Sequence, residues 1–483
     1  MSGATKQKNT AYIINSIICV LIMLLFGKLP APAPMTQLGM QVVGIFIGMI
    51  YGWITVGTHW PSLLGVLILG MTEYSSVNAV LKDTFGNNTV LMLFFICIMT
   101  GVLNSAGLTR YFCMKVLNMK WAKGHPWRMT FLVIMSNYVC SAFLAPAASL
   151  LLIWSVLYSL FEMCDYKPGE KWPMLMIAGT AFSGNIAGQM FPFKNLCLSV
   201  LGQFETIMGE TVSSLGFILW MLIFSLVSTV LFFLIVKYCF KPDVTKLVNA
   251  KFEEKVPPLT RYQKFVLIVF VVYVIALLLP DMLPKAWAIT QLLKSVGNTG
   301  IALAAVIILL VAKFEESVPI GKMVFEGVNW NMIFLIASAM TVASAFRAES
   351  TGIEAFIVQY VTPMLEGRSG LGLVIICILI VTVMTQFCNN AATVTVITPI
   401  FLVIMSGLGN IGVNMKVIML MTIAAGAMAT LAPSGGTHAA LLHGNRLWIP
   451  KASDLYLLCA IMVAINLLVM FVVGIPLASI LPL

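Results

Sequence analysis

"TQFCNNAATVTVITP", residues 385–399, lies inside a chain of 483 residues that is 60% hydrophobic and only 10% charged. Two adjacent amides, Asn389 and Asn390, stand there with apolar sequence on both sides. An amide moved into hydrocarbon without a partner costs about 2–7 kcal/mol, so both side chains need an occupation. The stretch falls mid-way through an apolar block, 371–405, that is too long for one span of about 20 residues and hardly long enough for two. Such a block is expected to enter and return on the same side as a re-entrant hairpin. Its non-helical backbone is tolerated at depth only where protein or a water-filled cavity covers it.

Working outward, soluble domains average about 25% charged residues, and the mean hydropathy here is +1.00. The chain is therefore a polytopic, all-α membrane protein. Candidate spans run over 11–29, 38–55, 60–71 and 88–106, then an overlong block at 129–161. Further spans cover 174–200, 214–238, 265–279, 300–311 and 330–346, then 371–405, 417–442 and 455–477. The first run, followed by Ala31-Pro32-Ala33, imitates a signal peptide; Pro34 would hinder cleavage, and the run is expected to stay as an anchor.

With the N-terminus cytoplasmic and both long blocks folded as hairpins, the cytoplasmic segments carry 20 of the 28 Lys and Arg residues. That bias satisfies the positive-inside rule and places the C-terminus outside the cytoplasm of a plasma (inner) membrane. The net charge of +10 then reflects orientation and lipid contact, not nucleic acid. Ten scattered cysteines without a CxxC pair indicate neither a disulfide frame nor a metal site. HExxH, GxSxG, paired intramembrane aspartates and a P-loop are all missing, which speaks against an intramembrane enzyme and an ATP-driven pump.

An internal repeat gives the amides their occupation. "SNYVCSAFLAP" (136–146) and "NNAATVTVITP" (389–399) each carry an Asn nine residues before a Pro, and Asn137 and Asn390 are 253 residues apart. The expected division is 1–37 as tail and first span, 38–238 as first repeat, 239–264 as cytoplasmic connector and 265–483 as second repeat. An odd number of crossings per half makes this an inverted-topology repeat, with the substrate site near the midplane at the repeat interface. Asn137 and Asn390 are expected at the two hairpin tips, where half-helix N-termini offer N–H groups to an anion. The competing reading is interhelical hydrogen bonding, common for Asn, Ser and Thr in membranes; duplication with a Pro favours a site. A second interrupted element follows each tip, "SGNIAGQMFPFKN" (183–195) and "AGAMATLAPSGGTH" (425–438), whose small residues and Pro signal unwound helices with free carbonyls.

These residues resemble the divalent anion/sodium symporter family, the dicarboxylate and citrate carriers of the ion transporter superfamily. That family has a Ser-Asn-Thr at each of two opposed hairpin tips and a Thr-Pro-Pro-Asn-like stretch in each unwound helix. Ser136-Asn137 fits the first motif, with Tyr138 in place of Thr, and the second reads Asn389-Asn390-Ala391. "FPFKN" (191–195) and "PSGGTH" (433–438) occupy the unwound positions. The resemblance implies a homodimer with a fixed scaffold and a transport domain moving as an elevator. It implies transport of small organic anions, di- or tricarboxylates, and no cofactor beyond Na⁺ as a coupling ion. The expected substrate residues are Ser136, Asn137, Asn389, Asn390, Lys194, Asn195, Thr437 and His438. Under sodium coupling the ion ligands would be Ser136, Asn137, Gly184, Asn390 and Gly436. The dimer interface is expected on 88–106 and 330–346.

Lys194 stands alone in an unwound stretch at membrane depth, where an unpaired charge costs several kcal/mol. Either it snorkels to an interface, or it is a fixed cation that binds a carboxylate or replaces a sodium ion. Exchangers of the family replace sodium sites with basic side chains, so Lys194 and His438 put exchange beside symport. The alternative is an ion antiporter or a metalloid or inorganic-anion carrier of the same superfamily. Such a cation carrier would want buried acids, and neither hairpin block contains Asp or Glu.

Overall fold

The structure is a computed structural model that describes residues 2–117, 119–122, 124–248, 257–284, 286–312, 314, 319–365, 370–407 and 414–483. Of the expectations above, part of the connector (249–256) and the basic residues Lys123, Lys251, Lys255 and Lys313 lie outside these residues. Among the described residues every regular element is a helix. Ten helices are long and apolar enough to cross a bilayer.

In chain order, α1 (Ser2–Leu25) is followed by α2 (Gln37–Thr55), α3 (His59–Gly70), α4 (Val77–Phe85), α5 (Asn88–Ser105) and α6 (Leu108–Leu117). Next come α7 (Pro126–Phe143), α8 (Pro146–Met163), α9 (Lys171–Ala187), α10 (Asn195–Met208) and α11 (Ser214–Ile235). The second half holds α12 (Arg261–Met282), α13 (Ala288–Val311), α14 (Ile320–Gly327), α15 (Trp330–Arg347) and α16 (Ile353–Leu365). It closes with α17 (Gly370–Phe387), α18 (Asn390–Gly407), α19 (Met415–Gly426), α20 (Thr437–Gly444), α21 (Ala452–Val469) and α22 (Ile475–Ile480).

Both overlong blocks are helical hairpins, α7–α8 and α17–α18, each of two 18-residue helices joined by two residues. Local chemistry sets both turns. Pro146 opens α8, where its missing N–H is one that no helix would use. Asn389 precedes α18, and its Oδ1 accepts from the N–H groups of Ala391 (3.1 Å) and Ala392 (3.2 Å) as an N-cap. The helix before each short gap ends early: α9 stops at Ala187 and α19 at Gly426, leaving breaks at 188–194 and 427–436 before α10 and α20.

Helix starts recur at a spacing different from that of the Asn-to-Pro match. Pro126 and Gly370 open α7 and α17, Pro146 and Asn390 open α8 and α18, and Lys171 and Met415 open α9 and α19; each pair is 244 residues apart. The Asn-to-Pro match at 253 therefore joins residues that hold different places. Pro399 lies inside α18, whereas Pro146 begins α8. Pro399 nevertheless has a consequence. Its absent N–H leaves the Thr395 carbonyl without a helical partner, and Gln203 Nε2 of α10 donates to that carbonyl at 3.1 Å.

One further expectation needs correction. The short span at 300–311 is the end of the 24-residue α13, which kinks at Gly297, a left-handed position (φ 69°) suited to glycine. The segments expected at a dimer interface belong to α5 and α15, whose spans are 56% and 67% buried inside one chain.

Candidate functional site

The site is built where the two hairpin turns meet the two breaks. At the first turn the last carbonyls of α7 have no helical partner, as at any helix C-terminus. Lys194, the residue before α10, supplies one: its Nζ donates to the carbonyls of Leu144 (2.8 Å) and Ser141 (3.2 Å). The side chain is 8% exposed, so it does not snorkel, and no acid among the described residues pairs with it. A cation at the negative end of a helix dipole is favourably placed. His438, in the first turn of α20, lies beside the Pro146 backbone on the other side of the same turn. Its Nε2 is buried and has no partner among the described residues. Lys194 and His438, expected in matching stretches of the two halves, thus converge on the first tip.

The second turn is held differently. Ser434 Oγ donates to the Phe387 carbonyl at 2.7 Å and Thr385 Oγ1 to the Gly426 carbonyl at 3.0 Å. Gln386 spans the break: its Nε2 donates to Met428 O (2.8 Å), and its Oε1 accepts from the N–H groups of Thr430 (3.1 Å) and Leu431 (3.2 Å). Asn390 sits at the tip, with Oδ1 accepting from the Ala391 N–H at 2.8 Å. A Cβ added at Gly436, before α20, would lie 3.4 Å from its amide, so Asn390 and the second break face one another. The Asn390 Nδ2 has no hydrogen-bond partner among the described residues, and neither has the buried Thr393 hydroxyl one turn further on.

These contacts form a continuous chain from the start of α10 to the first tip, on to α20, and on to the second tip. Four helices, α8, α10, α18 and α20, therefore begin at one junction. Asn185 of α9 closes the junction by donating from Nδ2 to the Ala427 carbonyl of the second break. Helix N-termini present free N–H groups and a positive dipole end, which suits an anion. Asp and Glu are missing from both turns and both breaks, so Lys194 has no acidic partner within them.

The predicted residues divide into two sets. Lys194, Asn390, Gly436 and His438 come together, and Asn195, Thr437 and Asn389 flank them at the starts of α10, α20 and α18. Ser136, Asn137 and Gly184 do not join them. Asn137 lies within α7, seven residues before Leu144, and is fully buried. Its Nδ2 donates to Thr180 O (2.8 Å), and its Oδ1 accepts from Ser149 (2.9 Å) and Ser141 (3.2 Å). Those bonds occupy the amide, which ties α7 to α8 and α9. Ser136 Oγ is spent on its own helix at Val133 O (2.6 Å), and Gly184 is the bare spot on α9 against which Asn137 packs. Tip placement for Asn137 is thus corrected to a buried interhelical clamp, because the first turn falls at 144–145.

Sequence reasoning missed Gln203, Gln386 and Thr393. For the two glutamines the available signal was an amide in an apolar helix, which is costly unless partnered. A separate cleft of about 420 Å³, lined by Tyr74, Lys82, Asp83, Asn87, Thr341 and Ser344 among others, shares no residue with the junction.

Comparisons agree with this architecture. A sodium-dependent dicarboxylate transporter, SdcS of Staphylococcus saprophyticus, is 23% identical over 481 residues, covering 92% of this chain and 88% of the relative. Among solved structures, the YdaH transporter of Alcanivorax borkumensis superposes with a TM-score of 0.56 at 14% identity, covering 97% of this chain and 98% of YdaH. MtrF of Neisseria gonorrhoeae, described as illuminating a class of antimetabolite efflux pumps, gives 0.56 at 15% identity, covering 98% and 94%. At that identity the two structures speak for the fold alone. The model of the citrate transporter family matches residues 50–426, well over half of the sequence, and the chain belongs to that family of membrane transporters.

Proposed function

We propose that this protein is a secondary active carrier of small organic carboxylates whose binding site is the junction of the two tips and two breaks. The di- and tricarboxylates named for its family and its relative are the reference cargoes. The observation that carries the reading is the meeting of four helix starts around one buried lysine, with no acid paired to it among the described residues. The recurring helix order supports an inverted repeat of 38–238 and 265–483, and with it an elevator-like motion of the hairpins against the remaining helices. A homodimer belongs to the same reading.

Lys194 favours exchange over sodium symport. A carboxylate crossing a low-dielectric barrier needs a counter-charge, which a bound sodium ion or a fixed ammonium can supply. A fixed ammonium stays behind when the cargo leaves. The empty carrier must then move an unneutralised buried cation, which is expensive, so return without cargo is slow. Uptake into proteoliposomes should depend on acid loaded inside and change little when Na⁺ is replaced by choline. Lys194→Ala should lower anion affinity by removing that charge. Concentrative, Na⁺-driven uptake into empty vesicles would overturn exchange and favour the sodium dependence named for SdcS.

A further inference from the structure

The start of α7 and the end of α11 carry a cluster of rings and cations that shares no residue with the junction. Trp127 and Phe131 stand one turn apart on α7, and both rings meet Phe233 of α11, at 6.4 and 5.2 Å between centres. Trp121, from the single turn before α7, closes on Phe131 at 6.3 Å. Two cations rest on these rings. The Arg128 guanidinium lies 5.4 Å from the centre of the Trp121 ring. The Lys237 ammonium, from the turn that follows α11, lies 5.8 Å from the Trp127 ring centre and 5.2 Å from that of Tyr238. A ring face attracts a cation through its quadrupole and leaves the net charge uncompensated.

No acid answers either charge. The sequence has no Asp or Glu between Asp83 and Glu162, nor between Glu210 and Asp243. Acids of the neighbouring loops are engaged elsewhere: Asp165 with Lys167, Glu170 with Lys246, and Asp243 with the N–H and hydroxyl of Thr245. Among the described residues neither Arg128 nor Lys237 has an ion pair. The apolar span that contains α11 runs on to Phe240, so Lys237 and Tyr238 lie at its edge, at headgroup level. Trp121, Arg128 and Tyr238 are exposed there, and Phe131 and Phe233 are half-buried. Such a surface suits a molecule with an anionic head and an apolar tail. A zwitterionic lipid brings its own ammonium and gains less from the two cations.

We infer that Arg128 and Lys237, with Trp121, Trp127, Phe131 and Phe233, form a binding site for one anionic phospholipid of the surrounding leaflet. The two cations meet the headgroup phosphate, and an acyl chain follows the rings. Arg128 lies in the first turn of α7, so the lipid grips the outer end of the hairpin whose other end is the first tip.

The test uses the full-length protein and native mass spectrometry with phosphatidylglycerol and phosphatidylcholine in equal amounts. The anionic lipid should be retained on the order of tenfold more, as two basic side chains at a membrane surface would give. Arg128→Gln with Lys237→Gln should bring that ratio close to one. Arg446→Gln with Lys451→Gln removes the same charge from exposed positions elsewhere and should leave the ratio unchanged. Equal retention of the two lipids by the wild type would overturn the inference, as would an unchanged ratio in R128Q/K237Q. An equal loss in both double variants would overturn it by showing a general effect of charge. Excess inorganic phosphate should not displace the lipid; displacement would overturn the lipid assignment in favour of a soluble anion. The single variants, each expected to lower the ratio about threefold, decide if R128Q/K237Q does not fold.

Discussion

The buried polar side chains of the first hairpin's own turn region are bonded within the chain and those of the second are not, although both turns join helices of the same length. Around the first, Asn137, Ser141, Ser149 and Lys194 bond to one another's helices. Around the second, Gln386, Thr385 and Ser434 pin the break, while Asn390 Nδ2 and the Thr393 hydroxyl stay free among the described residues. The difference teaches that polar residues in a membrane protein fall into two uses. Those whose partners all come from the chain contribute stability and a defined hairpin shape. Those left with a free donor or acceptor are available to a ligand.

The sharpest way to break this comparison is Asn137→Ala. It would remove three buried hydrogen bonds, among them those that tie α7 to α8 and α9. The expected loss is about 2–4 kcal/mol of stability, read as a lower melting temperature in detergent, with residual exchange per folded molecule retained. An unchanged melting temperature with abolished binding would return Asn137 to the substrate site.

Asn390→Ala should do the opposite. Its side chain makes one local bond to the Ala391 N–H, so melting should hardly move while exchange falls on the order of 30- to 100-fold, equivalent to about 2–3 kcal/mol. Normal exchange by this variant would remove the second tip from the site.

Thr393→Val refines the contrast with a near-isosteric change. Removing an unpaired buried hydroxyl should leave stability equal or slightly higher, while ligand affinity drops about tenfold if that hydroxyl meets cargo. Isothermal titration with the preferred acid measures it, and unchanged affinity would make Thr393 a packing residue.

The smallest effect concerns the loop after α8. Lys246 pairs with Glu170 at 2.9 Å, and its ammonium lies 4.8 Å from the centre of the Tyr166 ring, holding the connector to the loop after α8. Burial pushes the Tyr166 phenol up, and its OH donates to the Asp243 carbonyl at 2.9 Å. Both partners of the ion pair are about a third exposed, so Glu170→Ala should cost only about 0.5–1 kcal/mol. A larger shift in a melting curve would mean that the connector contributes more to the fold than its exposed charges suggest.

Much of this was legible in the sequence because hydropathy acts locally. Block length announced the hairpins at 129–161 and 371–405, and glycine and proline announced the breaks after α9 and α19. Charge and composition set the membrane class. Lys194 stood out because an isolated charge at depth must have a reason. The error over Asn137 arose from matching an Asn to a Pro by spacing, when the turn is set by where two helices stop. Proline at a helix start and proline inside a helix look alike in a string of letters.

The sequence by itself determined the membrane class, the paired hairpins, the interrupted helices and the resemblance to anion carriers, since each depends on contiguous residues meeting lipid. Only the tertiary structure decided which amide is a clamp and which is available, and that Lys194 and His438 share one tip. Those outcomes rest on partners far away in the chain: Thr180 for Asn137, Ser141 and Leu144 for Lys194, Pro146 for His438, and Thr395 for Gln203, 192 residues distant. A hydrogen bond needs its donor and acceptor within about 3 Å, and no local pattern of residues specifies which distant helix will bring them there.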